Sequence, residues 1–523
     1  MTANAKNRNE QWKKEKDGLA ILTELEQLAE KDFSELDPGD VERLKWAGIY
    51  AQRPRDGHFL VRVKLPSGTL SSAQAEVLAD LAHAYGKDEV QITIRQAVQI
   101  HNITLRDAVA IRQALAAAGL SSVEACGDVP RTILGNPLMG VDPEELLDTT
   151  QLVEETYRFF LGNRDFSNLP RKFKVSISAN PHDAGFARIN DLAFVPARRA
   201  GEAGFHAYVG GGLSAEPYLA QKLPFFLRAA EVLPVAKAVA TIFRDEGYRE
   251  KRNHCRLKYL VADLGIEAVA ARITAQTGPL LTGGEEITAP WHYGRFYGVH
   301  AQKQAGLSYV GLHLPQGHIE ASDLRILAGL ARTYGQGRLR TTNSQNLILL
   351  DIPQERVDDL CQEAIFKRYP LQPGLFSGYA SSCTGNAYCN FAPIETKNRL
   401  QELTRALDAA FPQLDVPVRI NLTGCSHSCA QPQVADIGLT GGRAKVDGEV
   451  TPVYAVQVGG ALGREAAYAR PLTGKVADAK LPAALKALVA HYLARRQDGE
   501  AFYETVRRTP LADWQAVLAP YLI

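Results

Sequence analysis

The chain has 523 residues, of which 46% are apolar and 22% charged, and its formal net charge is +1. This composition is typical of a globular protein with several domains, and the near-neutral charge argues against bulk binding of nucleic acid. No run of about 18 apolar residues occurs, and the polar start "MTANAKNRNEQWKKEKDG" lacks the apolar core of a signal peptide. We therefore expect a cytoplasmic protein that does not span a membrane.

The first predicted segment is a charged N-terminal arm over residues 1–45. Its lysines Lys13, Lys14 and Lys16 could contact an acidic partner protein. A polar stretch at a chain end is more often a disordered, solvated tail. We therefore predict no fixed structure for this lysine-rich stretch.

An internal repeat organises most of the chain. The segment that starts at Val63, "VKLPSGTLSSAQAEVLADLAHAYGKDEVQITIRQAVQI", aligns without a gap to the segment that starts at Leu312. Each copy has the pattern of a strand, a turn, a helix and a second strand. Ser71 or Ser72 can cap the first helix, and Gly86 ends it. A period of about 250 residues predicts two similar halves around a pseudo-twofold axis.

The repeat continues more faintly outside these segments. "FHAYVGGGLS" is similar to "YAVQVGGALG", and "LPRKFKVSIS" takes the place of "VPVRINLTGC". The strand that ends the first copy places Gln91, Thr93 and Arg95 on one face by alternation. The chain is therefore interpreted as a duplicated two-part module, and only its second half carries clustered cysteines.

A pair of lysines marks a strand in the first half. Lys172 and Lys174 alternate with Phe173 and Val175, so both lysines lie on one face of the predicted strand. A solvated strand edge is the usual explanation of such a pair when it is taken alone.

A second basic stretch, "FRDEGYREKRNHCRLKYL", has the spacing of a helix face. Arg249, Arg252 and Arg256 stand at i, i+3 and i+7, which predicts that all three lie on one side of a helix. Upstream of it, the run Gly210, Gly211 and Gly212 has no side chains and is expected to let a ligand approach the backbone.

The clustered cysteines form two hooks, Cys383 with Cys389 and Cys425 with Cys429, at C-x5-C and C-x3-C spacing. Four thiolates suit either zinc or an iron–sulfur cluster, and the wide first hook favours a cluster. Four buried, unligated thiols are the third interpretation. The remaining cysteines are isolated and are predicted to be ordinary packed thiols: Cys126, Cys255 and Cys361.

The motifs "CTGNAYC" and "TGCSHSCAQPQVADIGL" resemble the signature of the sirohaem-containing sulfite and nitrite reductases. The resemblance runs from "ERLKWAGIY" to the end of the chain and includes the duplication. It implies that the four cysteines bind a 4Fe–4S cluster and that Cys429 bridges a cluster iron to the sirohaem iron. Many members have Pro and Asn where this chain has Ser426 and His427.

The resemblance also implies the residues of the reaction site. Two arginines and two lysines would bind the substrate oxyanion and supply protons: Arg95, Arg131, Lys172 and Lys174. A larger set would bind the carboxylates and macrocycle of sirohaem: Arg62, Lys64, Gly211, Gly212, Arg249, Arg252, Arg256, Lys258, Gln345, Ala392 and Cys429.

The fold implied is a mixed α/β (α+β) monomer with three lobes, internally duplicated, with ferredoxin-like repeat domains. The expected boundaries are an arm at 1–45, a first repeat at 46–145, a sirohaem and substrate domain at 146–295, a second repeat at 296–382 and a cluster domain at 383–523.

The implied reaction is the six-electron reduction of a small oxyanion, and we expect sulfite to be reduced to sulfide. Lys174 is the reason for expecting sulfite before nitrite, because nitrite-reducing members often have Asn there and a further cation favours the sulfite dianion. The alternative is reduction of nitrite to ammonia, since "EKDGLAILTELEQLAE" resembles the start of ferredoxin-dependent nitrite reductases. A distant alternative is a family relative in tetrapyrrole synthesis.

No G-x-G-x-x-G unit in a strand–helix context occurs, so electrons are expected to come from a separate protein. The resemblance implies ferredoxin, with a flavoprotein as the alternative donor. A binding module with structural zinc is the rival of a different class, and an absorption spectrum distinguishes it from a sirohaem enzyme.

Overall fold

The computed structural model describes residues 7–291 and 296–523. They form two compact units. The first comprises the described residues of Met1–Gly212, Tyr218–Leu312 and His318–Arg368, and the second comprises Leu213–Pro217, His313–Gly317 and Tyr369–Ile523. The predicted boundary at residue 295 and the first six residues of the predicted arm lie outside the described residues. No described helix is both long enough and apolar enough to cross a membrane.

The N-terminal arm is folded, so the prediction of a disordered lysine-rich stretch is wrong for the described residues. Lys13 is only 8% exposed, and its Nζ donates to the carbonyl oxygen of Leu169 at 2.8 Å. Sequence pattern could not show this contact because the partner lies far along the chain. The α-helices in the described part of the arm are α1 (Arg8–Glu15), α2 (Ile21–Ala29) and α3 (Pro38–Arg43).

The first repeat has the predicted order of elements. Ser71 caps its first long helix, where its side chain accepts the N–H of Gln74 and the Gln74 side chain accepts the N–H of Ser71. The helix ends at Tyr85, directly before Gly86. The elements are β1 (Ile49–Ala51), β2 (Phe59–Val63), β3 (Thr69–Ser71), α4 (Ser72–Tyr85), β4 (Glu89–Ile92), β5 (Val98–Ile103) and α5 (Leu105–Ala117).

A sheet with order β11-β10-β9-β8-β7-β6 follows in the same unit, and β12 pairs with β8. Strands β6, β7 and β8 are parallel, whereas β8 and β9 form an antiparallel hairpin. The elements are β6 (Leu134–Gly135), α6 (Thr150–Phe160), β7 (Val175–Ile177), β8 (Leu192–Arg199), β9 (Glu202–Val209), β10 (Gln221–Leu227), α7 (Ala229–Glu246), α8 (Leu257–Leu264), α9 (Ile266–Thr277), β11 (Leu281–Thr282) and β12 (Glu285–Glu286).

The second repeat copies the first and exchanges a strand with it. Strand β15 completes the sheet β1-β2-β5-β4-β15, and β3 completes the sheet β13-β14-β17-β16-β3. The exchange is symmetric, which confirms the predicted duplication. The elements are β13 (Gly298–Ala301), β14 (Leu307–Leu312), β15 (His318–Glu320), α10 (Ala321–Tyr334), β16 (Arg338–Thr341), β17 (Leu347–Pro353) and α11 (Val357–Cys361).

Two equivalent glutamines tie the copies together. Gln96 and Gln345 both have positive φ, 57° and 65°, in the turns after β4 and β16. The Nε2 of Gln96 donates to the carbonyl of Thr341, and the Nε2 of Gln345 donates to the carbonyl of Ile92, each at 3.2 Å. The glutamine shared by both copies of the repeat thus has a structural use at the pseudo-twofold axis.

The second unit repeats the parallel sheet of the first, with order β18-β19-β20-β21-β22, and β23 pairs with β21. Asp436 accepts the backbone N–H of Arg419 at 2.8 Å, as Asp191 accepts that of Lys174 at 2.9 Å. The elements are β18 (Ser381–Ser382), α12 (Lys397–Ala410), β19 (Ile420–Thr423), β20 (Ile437–Val446), β21 (Glu449–Val458), β22 (Arg470–Pro471), β23 (Val476–Ala477), α13 (Leu481–Arg495), α14 (Phe502–Arg508) and α15 (Leu511–Leu518).

Candidate functional site

A group of cations lies at one edge of the parallel strands in the first unit. Arg131 precedes β6, and Lys172 and Lys174 precede β7. The backbone N–H of Arg131 donates to the carbonyl of Phe173 at 2.8 Å, which holds the two approaching chains side by side. Because parallel strands begin at the same edge of a sheet, these three side chains start close together.

The predicted alternation at the lysine pair is confirmed. Phe173 and Val175 are fully buried, whereas Lys172 and Lys174, which alternate with them along the chain, are half-buried. The apolar residues anchor the segment in the core, and the lysines share the other face.

Arg95 reaches the same edge from a turn. It was predicted on a strand, but β4 ends at Ile92, and the positive φ of Gln96 closes a tight turn instead. Its guanidinium donates to Asn190 Oδ1 and to the carbonyl of Thr132, both at 2.9 Å. Its buried Nε has no hydrogen-bond partner among the described residues.

Electrostatics show that the four predicted substrate-binding residues lie together. Burial, followed by the cations Arg171, Lys174, Arg256 and Arg131, holds the pKa of Lys172 well below its usual value. In the described part of the chain, nothing is hydrogen-bonded to the Lys172 ammonium.

Arg95 belongs to the same cationic cluster. Burial and then Arg131 lower its pKa to about 9, with smaller contributions from Arg256 and Arg62. So many like charges in a half-buried place favour an anion that neutralises them.

Of the predicted sirohaem ligands, Arg62, Lys64 and Arg256 lie beside this cluster. Lys64 is buried, and its pKa is lowered to about 8 by burial and, among charges, by Arg131. Arg256 is paired with Asp191 through two short contacts, at 2.9 and 3.0 Å. Asp191 is thus a residue that sequence reasoning missed, and extending the repeat to Asp436 could have indicated it.

The helical face predicted for Arg249, Arg252 and Arg256 does not exist. Helix α7 ends at Glu246 and α8 begins at Leu257, so all three arginines lie in the connection. The spacing misled because Gly247 and the tertiary contacts of the connection interrupt the helix. Lys258 lies in α8, with its ammonium over the rings of Tyr218 and Tyr259.

Arg249 and Arg252 already have protein partners. Arg249 donates to Glu10 of α1 at 3.0 Å. Arg252 holds Asp128 by two hydrogen bonds, one of them at 2.9 Å. Their proposed contact with a cofactor therefore competes with these ion pairs.

Asp128 is buried and joins three cations: Lys13, Arg171 and Arg252. Burial alone would raise the pKa of Asp128, but Arg252, Arg171 and Lys13 hold it far below its usual range. The carboxylate thereby connects helix α1 to Arg171, the neighbour of Lys172. Sequence reasoning missed this residue because a lone aspartate carries no periodic signal.

We expect Asp128→Asn to destabilise the first unit by about 3–5 kcal/mol, because the buried Lys13 and the half-buried Arg171 and Arg252 lose their shared counterion. The thermal midpoint should fall by about 5 °C. Because the carboxyl pKa is depressed in the folded protein, this stabilisation is present above about pH 4 and is lost on further acidification.

The control is Glu24→Gln, which breaks the half-exposed pair with Lys16 and should cost at most about 1 kcal/mol. Equal, small shifts for both variants in differential scanning calorimetry would contradict the expectation.

The glycine run is explained by packing against protein, not by empty space. A Cβ at Gly211 would lie 2.5 Å from the carbonyl oxygen of Asn190, and one at Gly212 would lie 2.8 Å from a guanidinium nitrogen of Arg256. The glycines thus let the backbone approach residues that support the cationic cluster.

The cysteine quartet lies at the carboxyl ends of β18 and β19 in the second unit. Cys383 directly follows β18, and its N–H donates to the carbonyl of Leu422 in β19 at 3.2 Å. Cys425 and Cys429 are in the loop after β19, and the thiols of Cys389 and Cys383 add to the burial that raises the pKa of Cys425. Three of the predicted ligands are therefore neighbours, and Cys429 lies exposed in the same loop.

Backbone amides donate to two of these sulfurs, as is favourable for thiolate ligands. The N–H of Gly424 donates to Cys383 Sγ at 3.2 Å, and the N–H of Phe391 donates to Cys389 Sγ at 3.4 Å. Such bonds stabilise negative charge on sulfur. The donor set therefore fits a 4Fe–4S cluster.

Small residues keep the loops close. A Cβ at Gly424 would lie 2.8 Å from the Cβ of the buried Ala392. Ala392, a predicted cofactor-binding residue, therefore packs against the loop that contains Cys425. Gln433 Nε2 donates to Ser428 Oγ at 2.6 Å and to the carbonyl of Ser214 at 3.0 Å. These bonds fix the residue that precedes Cys429.

Zinc binding and disulfide formation would each require a specific geometry of the four clustered cysteines. Over residues 7–291 and 296–523, no group of three or more His, Cys, Asp or Glu is arranged to hold a single metal ion. None of the seven cysteines, all within the described part, forms a disulfide.

Two family models match the chain. The one described as "Nitrite and sulphite reductase 4Fe-4S domain" matches residues 126–278 and 379–518. The one described as "Nitrite/Sulfite reductase ferredoxin-like half domain" matches residues 50–118 and 300–365. Each model matches twice, as a duplicated chain requires.

Known proteins agree with these matches. Ferredoxin–nitrite reductase of Synechococcus elongatus is 39% identical over 92% of this chain and 96% of its own length. Sulfite reductase [ferredoxin] 2 of Mycolicibacterium paratuberculosis is 35% identical over 96% and 95%. The solved structure of the Mycobacterium tuberculosis NirA protein superposes with a TM-score of 0.91 at 33% identity, over 97% of both chains. This chain therefore belongs to the nitrite and sulphite reductase family, and it is an oxidoreductase whose cofactors are sirohaem and a 4Fe–4S cluster.

Proposed function

We propose that this enzyme reduces a small oxyanion by six electrons and that sulfite, reduced to sulfide, is the anion its charges favour. The observation that carries the proposal is the cationic cluster of Arg95, Arg131, Lys172 and Lys174. When bound, the cluster would supply electrons one at a time, and the sirohaem would supply an iron that can bind the sulfur or nitrogen of the substrate. The protein residues bind and orient the anion and deliver protons.

The two arginines are suited to orient the anion. Three nitrogens of Arg131 donate to the carbonyls of Gly127 and Ala125 at 3.0 to 3.3 Å, and two nitrogens of Arg95 are held by Asn190 and Thr132. A guanidinium has five N–H donors, so each arginine keeps donors for a ligand while its orientation is fixed.

Lys172 is suited to supply protons. Its depressed pKa means that the ammonium gives up its proton more readily than an ordinary lysine does. An arriving anion opposes the surrounding positive charge and raises this pKa again, so the lysine gains a proton as the anion binds.

We propose a set of residues for each cofactor. Cys383, Cys389, Cys425 and Cys429 would hold the cluster, and Cys429 would also serve the sirohaem. The sirohaem carboxylates would be neutralised mainly by Arg62, Lys64, Arg256 and Lys258. Arg249 and Arg252 contribute only if they leave their protein partners.

Lys174 is the reason for placing sulfite first. Sulfite is largely a dianion near neutral pH, whereas nitrite is a monoanion. At an effective dielectric constant near 20 and a separation of 4 Å, one more unit-charge pair is worth up to ~4 kcal/mol before desolvation.

Nitrite, reduced to ammonia, is the second candidate. Its support is the function named for the relatives: most of those compared, including the proteins from Synechococcus elongatus and Zea mays, are ferredoxin–nitrite reductases. The names of these relatives also support ferredoxin as the electron donor, because the word ferredoxin occurs in the names of both the nitrite reductases and the sulfite reductase. A flavoprotein donor remains the alternative.

The basic test is spectroscopic and kinetic. Purified enzyme, produced with adequate iron and sirohaem, should be coloured, should contain iron and sulfide, and should consume sulfite and nitrite with a chemically reduced dye as donor. A colourless, iron-free and intact protein would overturn the proposed function.

Lys174→Asn should lower kcat/KM for sulfite by roughly tenfold or more, and for nitrite by less than about threefold, because it removes one positive charge near the anion. Steady-state kinetics with both anions at several ionic strengths measure this. Lys174→Arg is the matched control, since it keeps the charge and should keep the preference. Equal losses for both anions in Lys174→Asn would refute the charge argument.

A further inference from the structure

The sulfur of Cys425 lies within hydrogen-bond distance of an imidazole ring. Cys383 and Cys389 each accept one backbone N–H, from Gly424 and Phe391. At Cys425, burial raises the thiol pKa and the backbone N–H of His427 opposes that effect. In addition, the ring Nδ1 of His427 lies 3.3 Å from Cys425 Sγ.

The ring of His427 is held in place by an aromatic residue next to the other cysteine hook. Phe391, two residues after Cys389, meets it edge to face, with centroids 5.1 Å apart and an angle of 63° between the rings. Phe391 is 70% exposed, which is unusual for so large an apolar side chain in water. Its contact with His427 gives this exposed phenyl ring a structural use, because aromatic pairs prefer this edge-to-face geometry.

A thiolate bound to iron has no proton to give, so the ring nitrogen facing it must be the donor. One-electron reduction of a cluster adds negative charge that spreads onto its sulfurs. An N–H dipole aimed at a sulfur therefore stabilises the reduced cluster more than the oxidised one.

We propose that His427 donates its Nδ1–H to the Cys425 thiolate and thereby raises the reduction potential of the cluster, with Phe391 holding the imidazole in place. The inference rests on the proposed assignment of the cluster to these cysteines. His427 acts as a positioning residue for electron transfer.

The first test is the variant His427→Phe, which removes the donor and keeps an aromatic ring against Phe391. The midpoint potential of the cluster is measured by an EPR-monitored redox titration of the holoenzyme. We expect the reduction equilibrium to fall by up to roughly tenfold, the worth of one hydrogen bond, which is about 59 mV for a one-electron couple.

Phe391→Leu is the matched second variant, because it keeps the donor but releases the ring. It should shift the potential in the same direction by a smaller amount. An unchanged potential in His427→Phe, with iron and sirohaem contents equal to wild type, would overturn the inference.

A measurement on the unaltered enzyme does not depend on any variant folding. In reduced holoenzyme labelled with 15N-histidine, electron–nuclear double resonance should detect one histidine nitrogen and its exchangeable proton coupled to the cluster. Absence of that coupling would overturn the inference while leaving the cluster and the proposed function intact. A preparation with no cluster at all would instead overturn the proposed function.

Discussion

Cys383→Ala is expected to abolish the cluster and to lower six-electron turnover by about a thousandfold or more, because this activity needs an electron relay and three thiolates leave one cluster iron without its protein ligand. The geometry gives the reason for choosing Cys383. Its sulfur accepts the N–H of Gly424, and its backbone is bonded to β19, which carries the second hook. Removing it therefore disrupts the first hook at the point where the two loops meet.

The matched control is Cys361→Ser, which changes a half-buried cysteine far from the hooks in sequence and predicted to be an ordinary thiol. It should keep iron content, visible spectrum and turnover within about twofold of wild type, as a substitution away from any special feature does. Iron and sulfide analysis and EPR of the reduced protein measure both variants. A Cys383→Ala enzyme with a full cluster signal and wild-type activity would contradict the assignment of the ligands.

Lys172→Met should lower kcat/KM for either anion by roughly 100-fold to 10,000-fold, because it removes a charge that holds the anion and a proton donor at the same time. Lys14→Met is the control, since Lys14 is exposed on α1, and it should leave turnover unchanged. An effect of Lys172→Met no larger than that of Lys14→Met would contradict the proposed role.

The pH profile separates the role of Lys172 from general loss of charge. Burial and the facing cations Arg171, Lys174, Arg256 and Arg131 depress the pKa of Lys172. The protonated form is the active one, so activity should fall as pH rises through this lowered pKa, earlier than for an ordinary lysine. In Lys172→Met this decrease of activity with rising pH should disappear. A decrease caused by Lys64, whose pKa is about 8, should remain.

Several features of the fold could be predicted from the sequence because they depend on local pattern. The strand–turn–helix repeat, the cap at Ser71 and the alternation at Phe173 all concern residues within a few positions of one another. The cysteine hooks could also be read, since the two residues of each hook are near neighbours in the chain.

Other features escaped prediction because their partners are distant. The arm was expected to be disordered, yet Lys13 is buried against Leu169 and Asp128. The arginines of the α7–α8 connection were expected on one α-helix, yet Arg249 and Arg252 lie between α7 and α8 and pair with Glu10 and Asp128. Charge spacing alone does not show which carboxylate a cation will meet.

The sequence by itself determined the family, the duplication, the thiol quartet and the identities of the four basic residues, because each is a matter of residue type and short spacing. Only the tertiary structure decided which of the cations predicted to bind substrate or sirohaem remain available to an anion. Arg252 and Arg256 are paired with Asp128 and Asp191, whereas the Lys172 ammonium has no such partner in the described part of the chain. The physical reason is that electrostatic energy depends on distance and burial in three dimensions, and the strand order that sets those distances comes from contacts between residues remote in the chain.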